Sequence, residues 1–178
     1  PCYVKIDFKN GIPVELNGKK MKGAALIEKL GRIGGLYSIG RSDLIEDRLV
    51  GIKSREIYEA PAAQILLEAH KALESLVLDR ESLCFKDIVG MRYARLVYDG
   101  LWFTPLKKAL DKFVDHTQRK VSGTVKLKLF KGAVSVVGRR SPNSMYKKEL
   151  ATYGEGDEFD QSLAKGFIEL WGLPYKKN

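Results

Sequence analysis

Two stretches of strict alternation, one near each end of the chain, fix the kind of fold that everything between them must join. Residues 3–8 run Tyr3-Val4-Lys5-Ile6-Asp7-Phe8, which sets Val4, Ile6 and Phe8 on one side of a half-buried strand. Asn10-Gly11 follows, a dipeptide suited to a two-residue hairpin because both residues accept positive φ. Ile12 to Leu16 reads as the return strand, and Pro13, which cannot donate to a ladder, points to a sheet edge. Asn17-Gly18 marks a second turn. Near the other end, Val125, Leu127 and Leu129 alternate with Lys126 and Lys128. Lys131-Gly132 then turns the chain, and Val134, Val136 and Val137 return.

Between these strand pairs the apolar spacing changes to helical. Ala25, Leu26, Leu30 and Ile33 make one stripe over 23–33, after which Gly31, Gly34, Gly35 and Gly40 predict a broken helix and a mobile connection. Pro61 stands at a first helical turn, and Ile65, Leu66, Ala69, Leu73, Leu76 and Val77 predict a helix over 61–78. A second helix is expected over 80–98, with Phe85, Val89, Tyr93, Leu96 and Val97 inside. A third runs from the Thr104-Pro105 cap to about residue 121. Residues 154–160 are acidic and read as exposed, and Asp160 caps a last short helix through Trp171. Strands, helices, then strands make an α+β fold of antiparallel strand pairs packed with several helices, not a doubly wound parallel sheet.

The 178 residues suffice for one domain with a real core. Two cysteines, Cys2 and Cys84, make no disulfide framework, and no apolar run reaches the length of a bilayer span. A cytoplasmic location with no membrane partner is the expectation. The net charge of +9 favours an anionic partner, but the lysines are scattered in pairs, as on an ordinary solvated surface.

Glycine-rich phosphate loops and His/Cys metal clusters are missing from the pattern, and His70 and His116 read as structural or surface residues. The stretch Gly40 to Tyr58 is different. Its carboxylates Asp43, Glu46 and Asp47 sit among aliphatic residues, and neither helical nor strand period fits it cleanly. A partly buried carboxylate needs a positive partner, because an unpaired buried charge costs several kcal/mol, on the order of 3–5. That partner is either internal, such as Arg41, Arg48 or Arg55, or the ammonium of a ligand. Tyr58 either packs or offers its hydroxyl to that ligand.

This same stretch resembles argininosuccinate synthases. The resemblance is carried by Gly40-Arg41, Asp43, Glu46-Asp47-Arg48, Gly51, Lys53-Ser54-Arg55, Tyr58-Glu59 and Pro61. It continues through Asp79-Arg80-Glu81, Tyr98 with Gly100-Leu101-Trp102-Phe103, Gly138-Arg139-Arg140-Ser141-Pro142 and Gly166-Phe167-Ile168 to Pro174. The resemblance implies a synthetase and multimerisation domain over 1–178, without the nucleotide-binding domain that precedes it in that family; the first residue, Pro1, agrees with a piece of a longer chain. It implies a ligase of arginine biosynthesis that joins citrulline and aspartate with ATP and magnesium, usually as a homotetramer, and that is inactive as this piece alone. Glu46 and Tyr58 match the family's citrulline contacts. Arg41, Asp43, Arg48, Lys53, Ser54 and Arg55 match as the frame that holds them. No catalytic residue, metal ligand or cofactor is expected on these residues themselves.

Two other classes stay open on the sequence. The charge allows a basic nucleic-acid-binding module, although no recognition motif is present and no nucleic acid is expected. A purely structural assembly module that binds no ligand is the third reading.

Overall fold

The computed structural model describes residues 1–150 and 160–176, which fall into two units, Pro1–Met145 and Tyr146–Asn178. In chain order the first unit runs β1 (Cys2–Lys9), β2 (Ile12–Leu16), β3 (Lys19–Lys20), α1 (Gly23–Leu36), β4 (Arg41–Asp47), β5 (Lys53–Glu59), α2 (Pro61–Val77), α3 (Arg80–Tyr98), α4 (Pro105–Gln118), β6 (Gly123–Phe130) and β7 (Ala133–Arg140).

The two alternating ends meet in one antiparallel sheet of order β3-β2-β1-β6-β7. Its central pair is β1 on β6, with Val4 opposite Leu127 and Ile6 opposite Val125. One face is dry: Val4, Ile6, Phe8, Val125, Leu127 and Leu129 are all buried. That face takes Ile65, Ala69, Leu73 and Val77 of α2 and Leu26 and Leu30 of α1 into a single cluster. Burying an aliphatic side chain of this size fully contributes about 1.5–3 kcal/mol, so the core is built from the pattern that alternation and helical spacing define.

Two expectations are corrected. β2 is not the sheet edge, because two-residue β3 pairs with Glu15 and Leu16. Pro13 is tolerated because it faces Phe8 where the register shifts, a bulge at which no ladder donor is required. Nor do the glycines break α1 after residue 33. The helix continues through Gly34 and Gly35 to Leu36, because Gly34 is where α1 meets α2. A Cβ there would stand 2.8 Å from both Pro61 Cβ and Ile65 Cδ1, so the close approach of the helices requires a residue without one.

The helices α3 and α4 pack edge to face through Phe85 and Phe113, ring centroids 5.3 Å apart. They are joined to α2 by a buried polar cluster. Gln118 Nε2 donates to Glu74 Oε1 at 2.6 Å, Lys86 Nζ lies 3.0 Å from the same oxygen, and His70 Nε2 is 2.8 Å from Gln118 Oε1. His70 is thus a structural residue, as its place inside a helix predicts.

The second unit holds a 3-10 turn at Lys148–Leu150, helix α5 (Ser162–Gly172) and a 3-10 turn at Leu173–Tyr175. The N-cap is Gln161 and not Asp160 as read from the sequence; Asp160 stands one residue earlier, where its Oδ1 accepts from the Ser162 N–H at 3.0 Å. Apart from Asp160, the acidic stretch 154–160 lies outside the described residues.

Candidate functional site

The stretch that fitted neither period is a two-stranded hairpin, β4 on β5, in its own small sheet. Register places Arg41 opposite Glu59, Ser42 opposite Tyr58, Glu46 opposite Ser54 and Asp47 opposite Lys53. Because successive side chains point to opposite faces, the hairpin sorts its residues into two sets.

One face carries a row of ion pairs. Arg41 Nε lies 2.8 Å from Glu59 Oε1, and Lys53 Nζ lies 2.8 Å from Asp47 Oδ1. Arg55 grips Asp43 with two parallel bonds, Nε to Oδ1 at 2.8 Å and Nη2 to Oδ2 at 2.6 Å. That guanidinium holds the Asp43 carboxyl below its ordinary 3.8, while the carboxylate raises Arg55 in return. These pairs are exposed, and each contributes about 0–1 kcal/mol at most.

The other face holds Ser42, Glu46, Ser54 and Glu56, all partly buried, with Tyr58 beside them. Tyr58 donates its hydroxyl to Glu46 Oε1 at 3.3 Å. Partial desolvation, then the charges of Glu46 and Glu56, push the Tyr58 phenol above its ordinary 10.0, so it stays neutral and able to donate at physiological pH. Arg48 Nη2 reaches Glu56 Oε1 at 3.5 Å. Ser54 Oγ is buried and has no hydrogen-bond partner.

The structure therefore brings the two expected site residues together, and divides their expected frame. Arg41, Asp43, Lys53 and Arg55 pair on the opposite face, Arg48 pairs with Glu56 on the same side as Glu46, and Ser54 pairs with nothing. The sequence reading gave no site role to Glu56, or to Tyr98, which it named only within the family resemblance. Glu56 is set beside Tyr58 only by the strand register, and Tyr98 reaches the hairpin from the end of α3.

A carboxylate beside a neutral phenol, open on one side, can receive an ammonium or polar N–H groups by charge-assisted hydrogen bonds. Such a pair can orient a ligand through hydrogen bonds without taking part in its chemistry. Among the described residues, no group of three His, Cys, Asp or Glu side chains is placed to hold a metal ion. No helix among them is long and apolar enough to cross a membrane.

Comparison with known proteins matches the chain along its whole length. The sequence model of the family described as "Arginosuccinate synthase C-terminal domain" matches residues 1–178. The argininosuccinate synthase of Rubrobacter xylanophilus is 56% identical over 177 residues, 99% of this chain and 43% of that protein. That of Synechococcus sp. (strain JA-3-3Ab) is 56% identical over 174 residues, 98% of this chain and 43% of that protein. The synthase of Dehalococcoides mccartyi (strain ATCC BAA-2266) is 54% identical over 176 residues, again 99% and 43%. The chain thus spans less than half the length of the curated relatives it matches.

Proposed function

The chain belongs to the argininosuccinate synthase family, as its C-terminal domain, and from that premise we propose that it carries one wall of the citrulline site in an ATP-dependent carbon–nitrogen ligase of arginine biosynthesis. In this reading Glu46 and Tyr58 hold citrulline while ATP activates its ureido oxygen and the amino group of aspartate displaces AMP. The single observation behind it is the 3.3 Å contact that sets the Tyr58 hydroxyl on the Glu46 carboxylate on one hairpin face. The carboxylate supplies the negative charge that an amino-acid ammonium needs, and the phenol fixes its direction.

We assign ATP and its magnesium to the part of the synthase outside these residues, as the family resemblance implies. The reading also includes a cytoplasmic homotetramer. Helix α5 supports the assembly, since it leaves Leu163, Phe167, Ile168, Leu170 and Trp171 exposed on only eleven residues.

The test is Glu46→Gln in the full-length synthase. Loss of one charge-assisted hydrogen bond costs about 1.5–3 kcal/mol, so KM for citrulline should rise on the order of 10- to 100-fold. KM for ATP and for aspartate should hold. An unchanged citrulline KM would sink the site and leave an assembly module.

A further inference from the structure

The Glu46 carboxylate stands near the far end of a two-stranded arm, and such an arm holds its shape poorly by itself in water. Its base is clamped: the Ala60 N–H donates to the Gly40 carbonyl at 2.8 Å, and Gly40 packs directly on the Ala60–Pro61 backbone. Glu46 is the sixth residue of β4, so at about 3.3 Å per residue it lies roughly 20 Å from that clamp. A tilt of about 5° at the base displaces it by roughly 2 Å, and misplacement of about 1 Å is enough to cost on the order of 100-fold in a positioned reaction. A base clamp alone does not fix a ligand contact that far out.

A second fixing point exists. The Tyr98 hydroxyl donates to the main-chain carbonyl of Asp47, the residue after Glu46, at 2.8 Å. Tyr98 is the last residue of α3, and that helix end is rigidly closed. Leu101 N–H returns to the Leu96 carbonyl at 2.8 Å and Gly100 N–H to the Val97 carbonyl at 3.2 Å, with Gly100 at φ +71°. This double closure is the Schellman arrangement, in which glycine takes the left-handed position. The body of α3 is anchored in turn by buried Val89 and Leu96, and by Tyr93, whose hydroxyl donates to Asp111 of α4 at 2.8 Å. Tyr98 is thus the tip of an anchored post, bonded to the outer end of the arm.

We propose that Tyr98 is a positioning residue for citrulline: its hydrogen bond to the Asp47 carbonyl holds the outer part of the hairpin so that Glu46 meets the substrate. This rests on the assignment of Glu46 and Tyr58 above and goes beyond it, since Tyr98 acts through the hairpin and does not touch the ligand.

The experiment is Tyr98→Phe in the full-length synthase, alone and combined with Glu46→Gln. The ring stays and only the hydroxyl leaves. KM for citrulline should rise about 3- to 10-fold, the equivalent of one neutral hydrogen bond, with kcat and the KM values for ATP and aspartate unchanged. Hydrogen exchange should quicken over 46–54 and stay as it was in α2 and β6. The double variant should lose clearly less than the product of the two single effects, because Tyr98 acts on citrulline through the part of the hairpin that carries Glu46. A rise in citrulline KM for Glu46→Gln with none for Tyr98→Phe overturns the positioning role and leaves the site intact. Additive effects in the double variant overturn it as well, as does a loss spread over kcat, all three KM values and melting temperature. No effect from either single variant removes the site reading itself, and this inference with it.

Discussion

Gly40 and Gly51 offer a controlled comparison at the two ends of the hairpin. Both lie in the left-handed region, at φ +79° and +83°. An alanine at either position therefore costs about 1–2 kcal/mol from backbone conformation alone. Space separates them. At Gly51, in the tip turn, a Cβ meets nothing within 4 Å. At Gly40 it would stand 2.5 Å from the Ala60 carbonyl carbon and from the Pro61 nitrogen, and 2.7 Å from the Ala60 oxygen. Those are backbone atoms, the Ala60 N–H is already bonded to the Gly40 carbonyl, and Pro61 opens α2 in the core. Nothing there swings aside, so overpacking adds about 1–3 kcal/mol. Gly40→Ala should thus destabilise by about 2–5 kcal/mol and Gly51→Ala by about 1–2 kcal/mol or less, since a tip can relax locally. Urea unfolding at equilibrium, with equal slopes for both variants, measures the difference directly. Equal costs within about 0.5 kcal/mol would refute the claim that the hairpin base is sterically locked to α2.

Two further substitutions probe the faces of the hairpin. Ser54→Ala removes a buried hydroxyl with no partner; thermal unfolding should show a change between neutral and about 1 kcal/mol stabilising, and a loss above about 1.5 kcal/mol would show that the hydroxyl is bonded after all. Asp43 is held below its ordinary 3.8 by Arg55, so its contribution is present above that value and lost as pH falls through the lower folded value. The stability gap between the wild type and Asp43→Asn should therefore be open at pH 7 and should shrink as pH falls below 3.8 in urea titrations; a gap that widens on acidification contradicts the pairing.

The fold was readable wherever one face of an element is dry. Val4, Ile6 and Phe8, and likewise Val125, Leu127 and Leu129, alternate because the sheet has a buried side, and α2 shows helical spacing because its stripe lies on that side. What alternation does not carry is which strands pair, and the central β1–β6 pairing joins segments more than a hundred residues apart. The hairpin was illegible for the opposite reason. Neither of its faces is apolar: Ile45 and Ile57 share the ion-paired face and Leu44 shares the face of Glu46, so no period-two signal emerges. Glu46 and Tyr58 were found through the family resemblance, and their contact, twelve residues apart in sequence, needed the register to be known. Tyr98 carried one local hint, a tyrosine two residues before a glycine at the end of a helical run, but its acceptor is a main-chain carbonyl that no side-chain pattern marks.

The ion pairs explain how a hairpin without a core keeps the register that this contact depends on. Individually they are exposed and weak, so their effect lies in discriminating among registers. A slip of one residue turns every side chain over and sends Glu46 to the wrong face. A slip of two preserves the faces, and there the charges decide. In the observed register Arg41 faces Glu59 and Asp47 faces Lys53, with Arg55 reaching Asp43 on the diagonal. Slipped two residues one way, Asp43 comes opposite Glu59, two like charges directly across the ladder, which offsets the one favourable pair, Asp47 with Arg55. Slipped the other way, Arg41 faces Ile57 and Asp47 faces Gly51, so both observed direct pairs are gone and only Asp43 with Arg55 stands opposite. Like charges directly opposite are destabilising and opposite charges contribute roughly 0.2–1 kcal/mol each. The sum over three pairs is small beside a folded core, yet the hairpin forms its own two-stranded sheet with most of its side chains exposed, so little else sets its register. One face thus supplies the alignment and leaves the other free to present a carboxylate and a phenol.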